Sequence, residues 1–119
     1  MAGPVITTLL SPNPASGNQT ADGAEDTLAS SSAASGTYVL RVDTTNMADG
    51  DVLELRAYSK ANGSASEVLA WYASIANAQS EILKYSPPIP TADDIKFTLK
   101  QTAGTNRTYQ WAVLNLNGT

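Results

Sequence analysis

The stretch Ile95–Leu116, IKFTLKQTAGTNRTYQWAVLNL, alternates, turns and alternates again. Ile95, Phe97 and Leu99 occupy every second position, with Asp94, Lys96, Thr98 and Lys100 between them. Successive strand side chains point to opposite faces, so this period of two predicts a half-buried strand. After the loop QTAGTNRT comes a second strand, YQWAVLNL, with a different pattern. Tyr109, Trp111 and Val113 form one face, and Ala112, Leu114 and Leu116 make the other face apolar as well. A strand apolar on both faces is expected to be covered on both.

Working back from this pair, the same signals recur. In GTYVLRVD, Tyr38, Leu40 and Val42 face one way and Val39 and Arg41 the other. TTNMADGD is dense in turn residues, and Asp49-Gly50 supplies a position tolerant of positive φ. VLELRAYS places Leu53, Leu55 and Ala57 inward and Glu54 and Arg56 outward. The next turn holds Asn62-Gly63, a short-hairpin signal in a longer loop. The alanines of EVLAWYASIA would suit a helix, but Trp71, Tyr72 and Ile75 favour a strand with Leu69, Trp71, Ala73 and Ile75 on one face. TLASSS and EILKY are short strands. SPPIP, Ser86–Pro90, cannot be a central strand and reads as a connection that crosses between sheets.

Residues 1–26 differ from the rest. Pro4, Pro12 and Pro14 bracket a short β-prone run, Val5–Leu10. This segment reads as an extended N-terminal arm, with a sandwich domain over 27–119. Seven or eight short strands with turns every 8 to 15 residues and no βαβ alternation predict an all-β, antiparallel β-sandwich of jelly-roll type.

Composition narrows the function. At 119 residues the chain fits one domain that buries roughly two-thirds of its unfolded surface. Charged residues are 15% of the chain, against about 25% in an average protein. Small polar residues take their place, and such a surface costs little to desolvate when covered. The net charge of −4 and seven scattered basic residues argue against nucleic acid and against an anionic membrane surface. With neither His nor Cys, the usual triads, dyads, zinc sites and disulfides are excluded. No phosphate-cradling glycine motif is present. The N-terminus has no basic region before its short apolar run, so it reads as neither a signal peptide nor a membrane span. The sequons at Asn18, Asn62, Asn106 and Asn117 read as accidental.

The acidic residues Asp22, Glu25 and Asp26, and those of the Asp43–Asp51 loop, read as turn residues. A calcium ion in the second loop is the alternative, although its spacing is not that of an EF-hand. Outward Trp and Tyr could form a sugar-stacking platform, but a core position is the commoner fate of Trp. No enzymatic function, metal or cofactor is expected.

TADGAEDTLAS (Thr20–Ser30), TTNMADGDVLELRAY (Thr44–Tyr58) and FTLKQTAGTNRTYQWAVLNL (Phe97–Leu116) together resemble small virion proteins of tailed bacteriophages, specifically capsid decoration or cement proteins. The resemblance implies a β-sandwich that binds the outer capsid surface as a homotrimer and stabilises contacts between major capsid subunits. The partners are then the chain itself and the major capsid protein, and the location is the virion, after synthesis in the bacterial host cytoplasm. Patterning adds candidate contact residues: Val5, Ile6, Leu9 and Leu10 on the arm, and Trp71 or Tyr72 with Leu114 and Leu116 at the subunit contact. A carbohydrate- or receptor-binding module of a tail appendage is the alternative.

Overall fold

The computed structural model describes residues 15–32 and 34–116. The candidate arm residues Val5, Ile6, Leu9 and Leu10 lie outside them. The described chain is all β: β1 (Ala15–Thr20), β2 (Asp26–Ser31), β3 (Gly36–Asp43), β4 (Val52–Ser59), β5 (Val68–Ala76), β6 (Leu83–Tyr85), β7 (Ile89–Thr91), β8 (Ile95–Ala103) and β9 (Thr108–Asn115). These form two antiparallel sheets. One runs β1-β9-β3-β6, with β7 also on β3, and the other runs β2-β8-β4-β5.

The sheets share one sandwich-like core. Tyr38, Leu40, Val42, Tyr109 and Val113 from the first meet Leu53, Leu55, Ala57, Phe97 and Leu99 from the second. These are the inward positions that alternation predicts for β3, β4, β8 and β9. Leu53, Leu55, Ala57, Phe97 and Leu99 are at most 2% exposed. The buried Tyr109 hydroxyl donates to Gln101 Oε1 at 2.9 Å, and burial pushes its pKa up to about 12.

Short links join strands that occupy matching places in the two orders: β1 to β2, β9 to β8, β3 to β4 and β6 to β5. Position by position, then, the edge pair β1/β2 forms one side of the molecule and β5/β6 the opposite side.

Three expectations are corrected. Ala15–Thr20, read as part of the arm, is strand β1, so among the described residues the sheets take in Ala15–Thr20 as well as the strands from Asp26 on. Its core-side residues, Ala15, Gly17 and Gln19, are small or polar and show no apolar pattern: Gly17 lies opposite Trp111, and a Cβ there would stand 3.5 Å from the indole. Ser86–Pro90 does not cross between sheets, because β6 and β7 both pair with β3. An edge strand tolerates proline, since its outward side needs no donors. The break is tied down by Ser86, whose Oγ accepts from Leu40 N at 2.9 Å and donates to Pro87 O at 2.9 Å. Finally, Leu69 does not join Trp71, Ala73 and Ile75 on the core side. The register slips between Ala57 and Tyr58, leaving Ala70 as an extra residue, and Leu69 pairs with the outward Tyr58. A bulge of this kind moves every residue beyond it to the other face.

Candidate interaction surfaces

Three surfaces come into question: the outer face of each sheet, and the β5/β6 side between them.

On the outer face of the β2-β8-β4-β5 sheet, pairing aligns Glu54 with Lys100 and Ser74, Arg56 with Thr98 and Tyr72, and Tyr58 with Lys96 and Leu69. Several of these groups engage one another, although Arg56 Nη1 is buried without a hydrogen-bond partner among the described residues. Arg56 bridges Glu54 at 2.8 Å and lies 4.9 Å over the Tyr72 ring, while the Tyr72 hydroxyl donates to Glu54 at 3.1 Å. Lys96 lies 4.7 Å over the Tyr58 ring and reaches Glu67 at 3.1 Å. Glu25 accepts from Thr98 Oγ1 at 2.6 Å and from the Tyr58 hydroxyl at 2.5 Å, and these bonds hold its carboxyl below the usual value. At the end of the face, burial and a hydrogen bond with Glu67 push Asp94 up to about 6.

On the outer face of the other sheet, two rows cross the strands. Ser16, Ala112, Arg41 and Tyr85 make one, and Asn18, Gln110, Asp43 and Leu83 the other. A shallow trough of about 470 Å³ follows them. The side chains of Asn18, Arg41 and Gln110 make no hydrogen bond or ion pair with another described residue. Leu114 is half-buried on this face and Leu116 is 50% exposed.

The β5/β6 side differs from both. The exposed large apolar side chains among the described residues are Val68, Leu69, Tyr72, Ile82, Leu83, Tyr85 and Leu116. All except Leu116 lie on β5, on β6 or on the link between them. Among the described residues, large apolar exposure is thus concentrated on the two edge strands of this side, with Leu69 and Tyr72 on the outer face of one sheet and Leu83 and Tyr85 on the outer face of the other.

Of the aromatics expected at a contact, Trp71 packs half-buried against the core and Tyr72 points outward from β5. Tyr72 and the pair Leu114/Leu116 belong to different sheets, so they do not form one patch. Sequence reading missed Val68, Leu69, Ile82, Leu83 and Tyr85. Leu69 is outward because of the bulge, and β6 is exposed because it is an edge; neither has a local signal.

The aspartates around the β3–β4 turn each serve a turn. Asp43 accepts from Thr45 N at 2.8 Å, Asp49 from Ala78 N at 3.3 Å, and Asp51 from Ala48 N at 2.9 Å. Among the described residues no group of three or more acidic side chains could hold a metal ion. No family model, curated protein or solved structure matches the chain.

Proposed function

We propose that this chain is a non-catalytic structural virion protein: a bacteriophage capsid decoration protein of jelly-roll type. It would sit on the outer capsid surface as a homotrimer and strengthen contacts between major capsid subunits. The jelly-roll reading is supported by the strand order. If β6 and β7 count as one strand interrupted at its prolines, each sheet has four strands, and two of the links at the end of the molecule away from the β3–β4 turn, β2–β3 and β7–β8, skip strands as paired Greek keys do. The observation that carries the contact role is the concentration of exposed large apolar side chains, among the described residues, on the neighbouring edge strands β5 and β6 and the link between them. A surface confined to one flank suits a head-to-tail interface, which closes into a ring when the rotation allows.

Sedimentation equilibrium over a range of concentrations tests the reading. A stable mass of three chains is expected, followed by binding of the trimer to phage heads stripped of this protein. A monomer that also fails to bind such heads would overturn it.

A second reading, a glycan-binding module of a tail appendage, draws on the trough along Arg41, Asn18 and Gln110. Amide and guanidinium donors beside exposed Leu83 and Tyr85 suit sugar hydroxyls and a sugar's apolar face. Saturable binding on a glycan array, lost in Arg41→Ala with the fold intact, would favour this reading over the first.

A further inference from the structure

The four sheet edges are not equally protected. On β6–β7 the edge is broken by Pro87, Pro88 and Pro90. That of β2 is six residues long, begins with Asp26 and carries a register shift at Leu28. Strand β1 is also six residues long and wholly polar or small, ASGNQT. Strand β5, by contrast, has nine residues, VLAWYASIA, with no charge and no proline. It also exposes Val68, Leu69 and Tyr72. Long, uncharged, apolar edges invite pairing with another strand, and proteins that stay single normally block them.

We infer that the β5 edge accepts residues Val5–Leu10 of a second copy as an added strand. The segment has the right chemistry: it is uncharged, β-prone, six residues long and bracketed by Pro4 and Pro12. Its reach decides which copy it serves. Leu10 is five residues from Ala15, where β1 begins, so it lies at most about 18 Å away. The sheet edge at β1 is on the side opposite β5. Even straight across the end of the sandwich, four strand spacings of about 4.8 Å and, at right angles, one sheet spacing of about 10 Å put a strand added beyond β5 roughly 22 Å away. A copy's own β5 is therefore out of range, and a neighbour's is not. Folding back on its own β1 is within range, but β1 offers no apolar side chains to cover. Donor on one side and acceptor on the opposite side make a head-to-tail contact, which closes into a ring when the rotation between copies allows. Main-chain bonds supply the pairing, as in other strand-addition complexes. This rests on the oligomeric reading above and specifies its linkage.

The chain's lack of cysteine makes a direct test possible. Single variants Thr7→Cys and Ser74→Cys are mixed in equal amounts and treated with a short bis-maleimide. The expected product is a two-chain species containing one of each variant. A chain lacking residues 1–10, with unchanged thermal unfolding, is expected to fall to single-chain mass at concentrations where the full chain is oligomeric. A truncated chain that keeps the full oligomeric mass would overturn the strand addition and leave the oligomer standing. Homotypic cross-links only, or a double variant that closes within one chain in dilute solution, would also overturn it. A full-length chain that is monomeric throughout would instead remove the oligomeric reading on which it rests.

Discussion

Arg107 Nε donates to Asp51 Oδ2 at 2.8 Å, joining the loop between β8 and β9 to the turn between β3 and β4. The Asp51 side chain is 1% exposed, and it also accepts from Ala48 N at 2.9 Å and Thr105 N at 3.0 Å. One carboxylate thus pins two sheet-crossing links at the same end of the core. The three bonds, with Arg107 first, hold its pKa below the usual value.

Asp51→Ala should therefore destabilise the fold by about 3 kcal/mol, because two backbone donors and a guanidinium lose their acceptor together. The check is the urea midpoint at pH 7. The sign of the pH effect follows from the lowered pKa. The stabilisation is present above the unfolded value of 3.8 and disappears as pH falls through the lower folded value. The Asp51→Ala chain should lose that component of its acid sensitivity.

Asp94 works in the opposite direction. Its pKa is raised to about 6 by burial first and then by Glu67, against the weaker pull of Lys60 and Lys96. A raised carboxyl pKa favours folding most below the unfolded value of 3.8, and the benefit fades as pH rises through about 6. Asp94→Asn should flatten the thermal-unfolding curve against pH between about 4 and 7, an interval set by that shift. An unchanged slope there would assign the titration to another group.

Gly104 and Gly50 make a matched pair. Both have positive φ, +85° and +97°. At Gly50 an added Cβ meets nothing within 4 Å, so Gly50→Ala should cost only the left-handed strain, about 1 kcal/mol. At Gly104 the Cβ would stand 2.7 Å from the Asp51 Cα and closer still to its carboxylate. Gly104→Ala should cost at least twice as much as Gly50→Ala, by chemical denaturation of both.

Ser86→Ala should leave the buried Leu40 amide without its side-chain acceptor, at a cost of about 1–3 kcal/mol. Hydrogen exchange at the Leu40 amide is the sharper readout. Protection there should drop by more than at Val42, whose strand partner is unchanged.

The strands themselves were legible in residues such as Leu53, Leu55 and Ala57, or Ile95, Phe97 and Leu99. Alternation is a local property, set by the two-residue pleat, and it survives any arrangement of the sheets. So did the turn at Asp49-Gly50, because positive φ is a demand on one residue. The excluded chemistry was equally plain, since a chain without His or Cys cannot build the sites that need them. What no local pattern contains is the partner of each strand. That β1 exists at all depends on the β9 edge offering it hydrogen bonds, not on its own ASGNQT. That Leu69 faces outward depends on one extra residue in the β4–β5 register. That β5 is an open edge, and that it lies across the molecule from the point where the N-terminal segment departs, depends on the order of all the strands at once. Pairing joins residues distant in sequence through backbone groups that every residue carries alike, so side-chain patterning specifies the faces and the folded topology decides which edge is left open.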